Sequence, residues 1–209
     1  MQQNTFILRN MVTVLFVFSS WFLCAQNKDS LVNFSNGVVK FNEGNYPAAV
    51  IELKKAIEIN PKNSEAYFYL GEICQLGNDS AKAMEYYNLA LEMDTTNSKA
   101  YKGRGRLKAR LGDFRGSIDD FDTAIKYNVK FTDAYFNRGL SYLNLKEYKL
   151  SMADFTKVIS YNPKDYQAYA QRGTAKFKAG DNKGACKDWS KAGELGDFTI
   201  YETIKKNCK

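Results

Sequence analysis

The 209-residue sequence contains no histidine. Without an imidazole there is no Ser–His or Cys–His nucleophile pair and no histidine metal ligand, which excludes most hydrolase designs. Cysteine is also sparse. Cys74, Cys186 and Cys208 stand too far apart to form a CxxC pair, and no glycine-rich phosphate loop is present. Adjacent carboxylates such as Asp119 and Asp120 leave a helix in different directions and make a poor acid–base pair. The sequence therefore predicts no catalytic residue, no bound metal and no cofactor. Only three prolines occur, against 14 Tyr and 14 Phe, and 44% of residues are hydrophobic. A disordered tract has the opposite balance, so this chain is expected to bury a sizeable core.

Charge of one sign is likewise not concentrated. The 30 Lys and Arg exceed the 23 Asp and Glu for a formal charge of +7, but both signs are spread along the chain. Solvated helix faces account for most of them, and nucleic acid is not an expected partner.

The first 25 residues differ in composition. Arg9 precedes the apolar run Met11 to Phe18, and Leu23-Cys24-Ala25 offers a cut before Gln26. This is the pattern of an export signal. The apolar stretch is shorter than the ~20 residues a spanning helix needs. Bulky Leu23 also disfavours a lipid anchor at Cys24. The expected location is periplasmic or extracellular. The alternative is a chain held to the membrane by this segment uncleaved.

Glycine recurs at Gly37, Gly71, Gly105, Gly139 and Gly173, each 34 residues after the last. Other places repeat in step. Tyr67, Tyr101, Tyr135 and Tyr169 follow Asn33. Ala49, Ala83, Ser117, Ser151 and Ala185 form a small set, and Leu53, Tyr87, Phe121, Phe155 and Trp189 a large one. Each window reads as two amphipathic helices, for example Ala134 to Leu145 and Tyr148 to Tyr161, joined by a turn such as Gly112-Asp113 or Lys146-Glu147. Glycine lets two helices cross closely, and the aromatic fills the space beside the crossing.

This pattern, with Pro61 and Pro163 near window ends, resembles the tetratricopeptide repeat (TPR) and covers residues 30 to 197. The windows are 30–63, 64–97, 98–131, 132–165 and 166–197, after a signal at 1–25 and a short lead at 26–29. The first window is atypical, with Asn33, Asn36 and Lys40 at apolar places. The resemblance implies an all-α, right-handed α-solenoid of five helix pairs. A sixth element, 198–209, reads as a capping helix in which Phe198, Ile200 or Tyr201, and Ile204 cover the last pair.

Two charge and sulfur patterns follow from that layout. Arg104, Arg138 and Arg172 recur in step with Asp120, Asp154 and Asp188, so structural Arg–Asp pairs are expected rather than a ladder of ligand-binding arginines. Cys186 and Cys208 lie ten and eleven residues either side of Gly196-Asp197, which puts them at the same height on antiparallel helices. A disulfide clamping the cap is expected, with Cys74 left as a packed thiol.

Binding by TPR proteins implies the concave face formed by the first helix of each pair. Its expected contact residues here are Phe68, Lys99, Lys102, Arg106, Arg110, Phe136, Asn137 and Leu140. Only Lys102 and Asn137 match the carboxylate clamp of chaperone-binding members. The leading expectation is a non-enzymatic scaffold or adaptor for a protein or peptide. The second is an accessory subunit of an envelope-assembly or peptidoglycan-associated complex.

Overall fold

The computed structural model describes residues 28–208, which are entirely helical apart from turns. The export signal and the first half of the short lead, residues 26 and 27, lie outside the described residues. The chain divides into two compact units between Thr95 and Thr96. The first contains α1 (residues 28–42), α2 (Tyr46–Ile59), α3 (Ser64–Leu76) and α4 (Ser80–Met93). The second contains α5 (Ser98–Arg110), α6 (Phe114–Tyr127), α7 (Thr132–Asn144), α8 (Tyr148–Tyr161), α9 (Tyr166–Lys178) and α10 (Asn182–Glu194). A 3₁₀ turn, Phe198–Ile200, leads into α11 (Tyr201–Asn207). Within each unit the helices pair antiparallel and stack side by side, the all-α solenoid arrangement.

The helices start where the sequence supplies caps. Asn45, Asn63, Asp79, Asn97, Asp113, Asp165 and Asp181 each accept a hydrogen bond from the backbone N–H three residues on, satisfying a donor that the helix cannot. Inside each pair the turn passes through one left-handed residue. Gly112 takes φ 86° there without strain, whereas the equivalent residue before α8 is Lys146 at φ 62°. Glu147, which follows it, makes no side-chain cap. The α7–α8 turn is thus the weakest of the series.

Packing follows the repeat. A Cβ added at Gly105 would stand 2.8 Å from the Phe121 ring, and at Gly173 2.6 Å from Trp189. The large residue of the second helix therefore occupies the space the glycine vacates. In the first unit Leu53, Ala66 and Leu70 form the core, with Phe34, Val50 and Ile73 packed on it. In the second, Phe121, Ala124 and Ala134 form one cluster and Ala170, Ala185, Trp189, Ala192 and Ile200 another.

The last cluster is where the cap docks, and there the sequence expectation needs correcting. Asp197 accepts from the Thr199 backbone and hydroxyl, so the segment opens as a 3₁₀ turn and swings Phe198 outward. Phe198 is 79% exposed, and Tyr201 is half-exposed beside Gly193. Ile200 and Ile204 do the covering. The Cys186–Cys208 disulfide joins α10 to the end of α11, with a Cα–Cα distance of 5.7 Å. Closing a 22-residue separation contributes about 3 kcal/mol by loop-closure entropy.

Replacing Lys146 by Gly and Glu147 by Asp should raise stability by about 1–2 kcal/mol, by removing left-handed strain and adding a cap. Urea denaturation of the double variant checks this; an unchanged midpoint would mean that the turn carries no strain.

Candidate functional site

The charged residues that recur with the period are tied inside the helix pairs. Arg104 donates to Asp120 through Nε (2.9 Å) and Nη2 (2.7 Å), Arg138 to Asp154 (2.8 and 2.6 Å), and Arg172 to Asp188 (2.8 and 2.8 Å). Asp120, Asp154 and Asp188 are all buried. Two-pronged contact is the geometry in which a guanidinium best compensates a buried carboxylate, so these are structural pairs, as the in-step recurrence implies. Each arginine also lies over the tyrosine three residues before it, Tyr101, Tyr135 or Tyr169, with centroid distances of 5.4–5.6 Å.

The pairs differ in what surrounds them. Lys108 and Lys176 add a second cation to Asp120 and Asp188, each at 2.8 Å. Tyr142 holds that place in the intervening pair, and there Arg138 gains a second carboxylate instead, Asp122 on α6. Burial works against charge on Arg138, but the hydrogen bonds it donates to Asp154 and Asp122 outweigh that and hold its pKa above the usual guanidinium value. Arg172 reaches back in the same way, from α9 to Thr156 on α8 (3.1 Å). The arginine thus fixes the register between successive pairs as well as within one.

The surface of the second unit presents α5, α7 and α9 side by side. Lys99 and Arg110 are exposed, and Lys102, Arg106, Phe136, Asn137 and Leu140 are half-buried. Asp133 organises this face. Lys102 Nζ lies 3.4 Å from its carboxylate and 5.2 Å from the Phe131 ring, and Asn137 Nδ2 donates to its carbonyl oxygen (2.7 Å). Sequence reasoning missed Asp133, although its signal was present, for it occupies the place that Lys99 holds 34 residues earlier. The face is therefore a mixed cationic, acidic and apolar surface. Phe136 also packs its ring against buried Phe155, with centroids 5.4 Å apart.

In the first unit the structure corrects the sequence expectation. Phe68 is only 6% exposed and its ring turns to Tyr87, so it is core and offers no contact surface. The Tyr87 hydroxyl donates to Glu72 Oε1 (2.5 Å), with the Gln75 side-chain oxygen 2.7 Å away. Cys74 on α3 is a half-buried thiol whose pKa is pushed up by burial and then by Asp79, which favours the protonated form. Among the described residues, no group of three or more His, Cys, Asp or Glu side chains is placed to hold a metal ion. Asp120 is engaged by Arg104 and Lys108 while its neighbour Asp119 faces solvent.

Family models described as TPR repeat or tetratricopeptide repeat match residues 37–77, 64–97 and 132–165. This chain is a tetratricopeptide-repeat protein. Solved TPR structures superpose over most of it. The crystal structure of MamA protein is 26% identical, covers 87% of this chain and 97% of that one, and gives a TM-score of 0.69. YrrB, described as a TPR protein with an unusual peptide-binding site, is 18% identical over 85% of this chain and 92% of its own (TM-score 0.71). PilF of Pseudomonas aeruginosa is 19% identical over 82% and 78% (TM-score 0.75). No curated protein matches the sequence.

For this TPR protein, Asp154→Asn should cost about 2 kcal/mol because it breaks the two-pronged charged pair at a buried site and leaves half-buried Arg138 with Asp122 alone, whereas Asp119→Asn at an exposed place of α6 should cost under about 0.5 kcal/mol. Equal urea midpoints for the two variants would refute the structural pairing.

Proposed function

We propose that the chain is a non-enzymatic scaffold that holds a protein or peptide segment on the face formed by α5, α7 and α9. The observation that carries this reading is the row of three first helices whose exposed and half-buried side chains mix Lys99, Lys102, Arg106 and Arg110 with Phe136 and Leu140. Apolar contacts beside charged ones suit an extended segment, which offers alternating side chains and free backbone groups. The repeat windows 30–63, 64–97, 98–131, 132–165 and 166–197, with 198–209 as the cap, belong to the same reading.

The scaffold acts outside the cytoplasm in this proposal. The apolar leader ahead of Gln26 and the Cys186–Cys208 disulfide support export to an oxidising compartment. No described helix is long and apolar enough to cross a membrane. Membrane contact, on this reading, comes only through the leader where it is retained.

A photo-crosslinking residue at Leu140, in intact producing cells, should give discrete protein adducts whose scaffold half begins at Gln26 by mass spectrometry. Arg106→Glu should weaken them by roughly fivefold or more, the loss of one interfacial charge contact. Adducts no stronger than those from a crosslinker at Lys157, exposed on α8, would overturn the binding face. Adducts beginning at Met1 would overturn cleavage of the leader and leave the binding face untouched.

A further inference from the structure

The cap is thinly attached apart from its disulfide. α11 has seven residues and none of them is buried; Ile204 within it and Ile200 and Cys208 at its two ends pack on the last cluster, and Tyr201 lies beside Gly193. A helix this short does not persist in water by its own hydrogen bonds. The covalent bond therefore supplements a small apolar contact in holding this segment on α10.

That bond borders a surface cleft. Cys186 and Cys208 are both half-buried, and they line a cleft of about 700 Å³ whose other walls include Lys183, Lys187, Ser190 and Glu194. The cleft is wide enough for a small thiol or the exposed tip of a protein dithiol. Two lysines against one glutamate leave it net cationic, which favours an approaching thiolate and a departing one.

We propose that Cys186–Cys208 is a thiol-exchange site, a reducible lock on the cap, whose substrate is a dithiol reductant. The incoming thiolate attacks one sulfur of the pair, forming a mixed disulfide and expelling the other cysteine as thiolate. The second thiol of the reductant then resolves the mixed disulfide. Two electrons and two protons pass from the dithiol to the pair, leaving Cys186 and Cys208 as thiols and the reductant as a disulfide. Residues 198–208 then detach and uncover the side of α10 that carries Cys186 and Gly193, together with the edge of the cluster that Ile200 covers. The lock is independent of the face on α5, α7 and α9.

The test uses the full oxidised chain under native conditions with dithiothreitol as the dithiol. Alkylation read by mass spectrometry should label Cys186 and Cys208 together, and hydrogen exchange over 201–208 should accelerate at least roughly tenfold while α9 stays protected. A Cys186→Ser, Cys208→Ser variant should show the same fast exchange without reductant. A disulfide that yields only when the whole unit unfolds would overturn the exchange site. Retained protection of 201–208 in the reduced chain or in the double serine variant would overturn the lock.

Discussion

Each helix pair depends on one steric exclusion: the first helix must lack a side chain where the second helix places its largest one. The distances make it a hard constraint. A Cβ at Gly71 would stand 2.7 Å from the Tyr87 ring, and at Gly37 2.7 Å from Leu53. Real carbon atoms do not approach so closely, so a larger residue must displace either the ring or the helix. With the glycine in place, Tyr87, Phe121 and Phe155 are fully enclosed, and that burial holds the two helices together. Gly139 is the loosest of the set, 3.1 Å from Phe155.

The Arg–Asp pairs add orientation to this packing. Bringing helices together by apolar contact alone leaves their sliding poorly fixed, whereas a two-pronged guanidinium accepts a carboxylate in only one arrangement. Since Arg138 and Arg172 also reach back to Asp122 and Thr156, one side chain sets three helices at once. Removing it from ligand binding is the consequence. What the second unit offers a partner is the surface left over, organised by Lys102, Asp133 and Asn137.

Much of this was legible in the sequence because it repeats. Five glycines at equal spacing locate the crossings, and the in-step Asp residues identify the arginines' partners without any structure. The disulfide followed from counting residues either side of Gly196. What counting cannot reach is the rotamer and the local turn. Phe68 occupies an inner-face place by periodicity, yet its ring folds to Tyr87 and is buried. Phe198 looks like a cap residue until Asp197 turns the backbone into a 3₁₀ start and points it to solvent. Asp133 was overlooked because attention to a basic stripe discounts an acid at an equivalent place.

The central claim, that the glycine and the ring share one space, is tested most directly by a double-mutant cycle at Gly105 and Phe121. Gly105→Ala alone should cost about 2 kcal/mol, the usual penalty for overpacking. In the Phe121→Ala background the atoms that block the new methyl are gone, and the same change should cost nothing or stabilise. Equal costs of Gly105→Ala in the two backgrounds, measured by urea denaturation, would contradict the account.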